Sequence, residues 1–500
     1  MNSELLKEIS EEEVKNAIFS MGPLKAPGID GFPAIFYQKY WDKVKSSIMW
    51  EVNRFWLEGI LDKELNRTLI TLIPKKKEAI RMEDWRPISL CTVAMKVITK
   101  IIATRLQPLL DKVISPFQSA FVKGRMITGN FVVAHEIAHY LKKCRGRGDY
   151  YASIKVDMSK AYDHAEWAFL EKLLLRMGFA DIWVERVMCC VRSVSYQVKV
   201  NDSISNVIKP GRGLRQGDPL SPYLLLFCTE LLNAKLRLSV DEHLMSGIKI
   251  CRRAPTVSHL LFADDSIFFI KVNNEEARHL KYVLNCYEKV SGQRINFEKS
   301  EICFSRNSPA DIRVEICDIL GVSQVPCHSK YLGLPLIVGQ RKSEMFRSLL
   351  EKIWKKISDW RCKLLSSAGR EVLIKAVIQA LPVYMMSVYY FPRRVIDEIA
   401  KMISQFWWNK EGRKGTSWVN QKILQEKKYE GGLGFKFKEL SIFNEAILMK
   451  IAWRMIKKPH LLMSRILAAK YCNSGDVFSA RLSFSPSHVW RGLMRGLKLF

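Results

Sequence analysis

The 500-residue chain is 48% hydrophobic and 11% aromatic, with a formal net charge of +29 and an isoelectric point near 9.6. This excludes a disordered chain, leaves room for several subdomains, and points to a polyanionic partner, nucleic acid ahead of a membrane surface. The twelve cysteines are scattered without a Cys-x-x-Cys pair, which suits reduced thiols inside a cell, in nucleus or cytoplasm. The acidic, polar start MNSELLKEISEEEV is no signal or transit peptide.

In chain order, residues 1–60 read as helices broken by the loop KAPGIDGFP. LITLIP (69–74) reads as a strand, followed by a basic loop, KKKEAIRMEDWRP. Helices are expected over 91–112 and about 129–144, the second ending at the basic turn CRGRGD. YYASIKVDMS (150–159) alternates as a strand and ends at Asp157; a helix follows with Trp167, Leu170, Leu174 and Met177 on one face. SYQVKVNDSISNVIKP reads as a hairpin turning at Asn201-Asp202. GDPLSP opens a helix, with Asp218 placed to cap it and Pro219 fitting its first turn. HLLFADDSIFF (259–269) reads as an apolar hairpin, then come a helix over 275–290 and the strand RINFEKSEICFS. From 343 the pattern is helical, with Phe346, Leu349, Leu350, Ile353, Trp354, Ile357 and Trp360 on one stripe. Val372 to Phe391 mimics a membrane span, but Lys375 and Pro382 interrupt it, and a buried helix pair is the better reading. Residues 341–500 hold 31 Lys and Arg against 12 Asp and Glu and seven of the 13 tryptophans, which suits a groove tracking a nucleic-acid backbone or a solvated basic face.

The chemistry centres on three acids. Asp157 ends one strand; Asp264 and Asp265 sit at a turn between apolar runs. Neighbouring strands of one sheet could unite them, and clustered carboxylates are tolerable when divalent cations neutralise them. Mg²⁺ suits such a site, taking one or two carboxylates plus substrate phosphates, and a pair of ions could activate a 3′-hydroxyl and stabilise leaving pyrophosphate. A solvated surface turn is the bland alternative. No Cys/His cluster has zinc-ligand spacing.

Here the sequence resembles a family. FADDSIFF, IKVDMSKAYDHAEW and GRGLRQGDPLSPYLL are similar to reverse transcriptase motifs, and APGIDGFPAIFYQKYW, TLIPKKK, WRPISL, SPFQSAFVKGR, SGQRINFEKS and YLGLPL extend the match in order. The resemblance is to polyproteins of plant non-LTR (LINE-type) retrotransposons. It continues through GRKGTSWVNQKIL, GGLGFKFKELSIFNEAILMKIAWR and SPSHVW, and implies a piece of a longer polyprotein.

The resemblance implies an α+β right-hand polymerase: an N-terminal helical extension (1–60), fingers (61–149), palm (150–342), helical thumb (343–400), and a basic, Trp-rich helical C-terminal region (401–500). It implies RNA-directed DNA synthesis with two Mg²⁺ ions (Mn²⁺ as a substitute), an RNA template, a DNA primer or target, and deoxynucleoside triphosphates. Asp157, Asp264 and Asp265 would be catalytic, metal-binding acids, Asp265 the least direct ligand. Tyr162 would exclude a ribose 2′-hydroxyl, Gln216 and Gly217 would line the nucleotide pocket, Lys75 and Arg86 would grip the triphosphate, and Lys299 would help the pyrophosphate leave. Tyr331, Leu332 and Gly333 would belong to the primer grip. Taken alone, each of these has a bland reading: core tyrosine, helix-capping loop, solvated cation, apolar strand with a glycine bend. The chain departs from the family at Ile29, Phe117, Lys123, His164, Ala165 and Gly129; at 129 an acid is usual, and its loss removes a charge and a helix cap. A catalytically silent nucleic-acid-binding remnant and an RNA-dependent RNA polymerase are the other readings; Tyr162 argues against the last.

Overall fold

A computed structural model describes residues 1–144, 149–201, 203–336, 342–361, 365–408, 440–472, 477–480 and 485–498, with residues 426, 429 and 482 between them. Most of the CRGRGD turn, Asp202, and the GRKGTSWVNQKIL and GGLGFKFK stretches lie outside the described residues.

Two sheets organise the N-terminal two-thirds. The first has the order β2-β1-β4-β5, with β1 (Arg67–Pro74) antiparallel to β2 (Trp85–Leu90) and parallel to β4 (Ser195–Val200), which turns back into β5 (Ser203–Ile204). Strand β2 starts within what the sequence reads as loop. Its Pro87 cannot donate to a ladder, which disguises the strand, and β2 accordingly lies at the sheet edge.

The second sheet has the order β6-β7-β3-β8-β9, with β3 (Tyr151–Ser159) in the centre, antiparallel to β7 (Asp265–Lys271) and β8 (Arg294–Phe304). Outside these run β6 (His259–Phe262) and β9 (Ser323–Gln324). Two cores share the sheet. Ile154 and Val156 of β3 and Phe268 and Ile270 of β7 pack into a core with the N-terminal helices and the helices Ser221–Asp241 and Asn274–Ser291. Ile267 and Phe269 face a second core built by the helix Ile127–Lys143 and the C-terminal helices. A strand covered on both faces cannot alternate with polar residues, which explains the unbroken run Ile267–Ile270.

The helix at GDPLSP begins at Ser221, not earlier, and Pro222 rather than Pro219 occupies its first turn. Leu220 is its N-cap; Asp218 lies two residues before, where Oδ1 accepts from Leu220 N (2.8 Å) and Arg215 pairs with the carboxylate (2.8 Å). Burying that pair explains why the acid is unavailable as a cap.

On the helix Lys342–Arg361, Phe346, Leu349, Ile353 and Ile357 are buried, whereas Trp354, placed on the same stripe by periodicity, is 45% exposed. Residues 367–386 form a helix (Ser367–Leu373), a π-turn (Ile374–Ile378) and a short helix (Val383–Met386) packed in the second core. Among the described residues, no helix is long and apolar enough to cross a membrane.

The short strands β10 (Lys330–Tyr331) and β11 (Leu334–Pro335) form a hairpin whose two-residue turn has positive φ at both positions, +47° at Leu332 and +79° at Gly333. Glycine suits the second position; leucine at the first is strained. Tyr384 donates to the Leu332 carbonyl (2.8 Å) and Tyr389 to that of Pro335 (2.7 Å), tying the hairpin to the C-terminal segment.

Candidate active site

The turn between β6 and β7 is Ala263-Asp264, since Phe262 pairs with Asp265. Ala263 adopts φ +54°, a conformation an alanine avoids without support. The support is Gln118, fully buried, whose Oε1 accepts from Ala263 N (3.1 Å) and from Ala120 N (3.0 Å) while its amide donates to Thr229 (3.3 Å). Asn130 donates to the Leu261 carbonyl (2.8 Å) and accepts from Ser119 (2.6 Å), and Ser119 N also reaches Leu261 O (3.2 Å). Buried His259 on β6 bonds Asn233 (2.7 Å) and Ser258 (2.9 Å). The acidic turn thus rests on a layer of neutral, satisfied hydrogen bonds.

Strand β3 brings the third acid. Val156 pairs with Ser266, so the next step of the register sets Asp157 beside Asp265. On the other side, the β3–β8 register slips between Lys155↔Glu301 and Asp157↔Asn296, leaving a bulge at 297–300. Ser300 accepts from Asp157 N (3.3 Å), and Lys299 lies exposed on this bulge.

The carboxylates feel one another. Asp264 is solvent-accessible yet crowded; desolvation raises its pKa and Asp157 raises it further, against an opposing effect of Arg86. Desolvation likewise raises that of Asp265, with Asp264 and Asp157 adding to it and Lys155 opposing. Tyr162 is pushed up to about 12 by burial and by Asp264, and Tyr384 to about 12 by burial and by Asp265. Tyr331, fully buried, is also raised, by burial first and then by Asp265. Electrostatically, Tyr162 and Arg86 thus couple to Asp264, and Tyr331 of the β10–β11 hairpin to Asp265.

Across residues 73–336, more than half of the chain, the sequence matches the family described as reverse transcriptase (RNA-dependent DNA polymerase). The chain belongs to the reverse transcriptase family. Relatives include the transposon TX1 149 kDa protein of Xenopus laevis, 28% identical over 85% of this chain and 32% of that protein. The Pol polyprotein of the R2DM element of Drosophila melanogaster is 25% identical over 65% of this chain and 30% of its own length. An uncharacterized mitochondrial protein of Arabidopsis thaliana is 35% identical over 24% of this chain and 78% of its own. This reverse transcriptase chain therefore spans about a third of the TX1 and R2DM proteins. A truncated apo telomerase from Candida tropicalis aligns with a TM-score of 0.36 and 14% identity over 56% of this chain and 57% of that one.

The other residues singled out from the sequence divide. Gly217 has φ +118°, and a Cβ there would approach Ser89 O at 3.2 Å; Gln216 O accepts from Ser89 N (2.9 Å). The Gln216-Gly217 loop is thereby stitched to β2, three residues from Arg86. The same loop is tied to Tyr162, whose carbonyl accepts from Leu214 N (2.7 Å). Lys75 stands apart: its ammonium donates to Glu83 O (2.8 Å) and closes the β1–β2 turn. Gly129 is the third residue of the helix Ile127–Lys143, whose N-cap is Met126, so an acid there would face the first turn rather than cap it.

Hard carboxylate oxygens that repel one another suit a divalent cation such as Mg²⁺. Among the described residues, no three His, Cys, Asp or Glu side chains stand as a formed metal-holding group. The donor chemistry fits, with the remaining ligands left to substrate phosphates and water, the usual Mg²⁺ arrangement. Sequence reasoning singled out the segment containing Gln118 but gave that residue no role. Its signal was available: a glutamine between small and apolar neighbours, destined for burial, must spend its amide on backbone.

Proposed function

We propose that this chain is an RNA-directed DNA polymerase that extends a primer 3′ end on an RNA template. The observation that carries the reading is the convergence of Asp157, on the central strand, with Asp264 and Asp265 at the adjoining turn, in a reverse transcriptase chain. In this reading the five-stranded sheet is the palm, the β1–β2 sheet belongs to the fingers, and the helices after 342 begin the thumb. Asp157 and Asp264 would hold divalent cations, with Asp265 assisting. When bound, Mg²⁺ supplies charge neutralisation at the attacking and leaving oxygens. Arg86 would meet the triphosphate, with Lys299 at the pyrophosphate side. Tyr162, half-buried against Asp264, would close the space a ribose 2′-hydroxyl needs. Gln216 and Gly217 would shape the nucleotide pocket, and Tyr331, Leu332 and Gly333 would hold the primer end. Most of the catalytic effect would come from positioning and electrostatics.

The test is primer extension on an RNA template with Mg²⁺ and deoxynucleotides. Extension by the wild-type chain that vanishes in Asp264→Ala supports the reading. A folded wild-type chain giving no more product than Asp264→Ala would instead identify a silent nucleic-acid-binding remnant. That reading draws on His164, whose Nδ1 is buried without a hydrogen-bond partner, and on Gly129.

A further inference from the structure

Behind the acidic turn, on the side of Asn130, lies a cavity of about 210 Å³. One wall is the start of the helix Ile127–Lys143 together with Ser119 and Arg125; the other is Arg454, His460 and the connection to the helix Leu462–Tyr471. The only acid in its lining is Asp111, already paired with Arg125 (3.0 Å), whose guanidinium also serves the Ile114 and Gln118 carbonyls (2.8 and 2.6 Å). Arg454 is different. It donates to the Gly124 carbonyl, and burial alone acts on its pKa, lowering it with no carboxylate in opposition. A side chain built at Gly129 would enter open space, with no atom within 4 Å of its Cβ. A partly desolvated guanidinium at a roomy, cation-rich cavity attracts a compact anion with several acceptor oxygens.

We propose that this cavity is a phosphate-binding site, held by Arg454 and His460, at a place where Gly129 brings no side chain. The phosphate is either free or part of a nucleic-acid strand. Its wall residues Ser119 and Asn130 are those that hold the Leu261 carbonyl, so occupancy bears on the seating of the acidic turn. The site stands independently of polymerase activity.

The experiment melts the 500-residue chain at constant ionic strength while chloride is exchanged for inorganic phosphate, and in parallel measures affinity for a short RNA. The wild type should gain melting temperature saturably with phosphate. Arg454→Gln should need roughly ten-fold more phosphate or above, as expected for losing a charge-assisted bond. Gly129→Asp places a tethered carboxylate in the cavity; it should melt higher than wild type without phosphate and gain nothing from it. If the occupant is a strand phosphate, inorganic phosphate has little effect, and both variants bind the RNA more weakly, with a salt dependence shallower by about one counterion. Gly129→Asp carries the test alone if circular dichroism shows Arg454→Gln unfolded. A saturable phosphate response in the wild type that both variants reproduce equally overturns the proposal. So does the absence of any phosphate response together with unchanged RNA affinity.

Discussion

Two groups of acids in this molecule are treated in opposite ways. Glu136, fully buried in the helix Ile127–Lys143, is matched by Lys470 (2.7 Å), by the Tyr471 hydroxyl (2.8 Å) and by the Ser487 hydroxyl. Tyr471 stacks on Trp490 with ring centroids 4.3 Å apart, and His135 and His139 nearby are pushed down to about 3, burial first and Lys470 contributing, so they stay neutral. Asp264 and Asp265 are instead set against each other and against Asp157, opposed by a backbone N–H at Asp264 and by the cations Arg86 and Lys155. A fully compensated charge docks the C-terminal helices; an uncompensated cluster is held at a strained turn by neutral bonds. Repulsion retained within a well-satisfied scaffold is what a site awaiting cations would show.

The largest effect that would sharpen this contrast is on catalysis. Asp157→Asn should lower primer extension about a thousand-fold or more while leaving the fold intact; near-normal extension would remove Asp157 from the site. Next comes Glu136→Ala, which strands Lys470 and should destabilise by about 3–5 kcal/mol in denaturant titration, whereas a joint Glu136→Leu, Lys470→Met exchange should recover most of it. A mild loss in the single variant would mean the dock is held by apolar packing instead. Gln118→Ala should reduce stability by about 1–3 kcal/mol and also reduce extension, because Ala263 loses its acceptor. Activity unchanged at equal stability loss would uncouple Gln118 from the acids. Smallest, Asp264→Asn should raise the melting temperature of the metal-free protein by about one to two degrees as it abolishes extension.

The same sign governs pH. Asp264 and Asp265 have folded-state pKa values above their unfolded ones, so the folded state holds their protons more tightly. Metal-free stability from these groups is therefore present at low pH and is lost as pH rises through the raised folded values. Mg²⁺ requires the ionised forms, so its affinity should fall as pH drops towards that window. A calorimetric Mg²⁺ titration at several pH values, showing proton release on binding, checks this.

Much of the frame was legible because burial writes itself into local pattern. The Ala-Asp-Asp turn stood out by placing charge within Leu260–Phe269, and β3 by its alternation up to Asp157. Strand β2 was not legible, since Pro87 contradicts a ladder unless the strand is known to be at an edge. Asp218 looked like a cap because its pairing with Arg215, only three residues earlier, comes from the burial of both side chains, which tertiary packing decides. Trp354 fits the helical period, yet almost half of it stays exposed, because period alone does not say how far the covering surface extends. The burial of Gln118 could be read from its small and apolar neighbours, but its partners Ala263 and Thr229 lie more than a hundred residues away, and no spacing rule reaches so far.

Gln118 carries one more consequence. A single carbonyl oxygen accepts from the amides of Ala120 and Ala263, on two segments far apart in sequence. Neither segment can loosen without disturbing the acceptor of the other. In hydrogen exchange these two amides should therefore open in one event, with the same protection, and lose it together in Gln118→Ala.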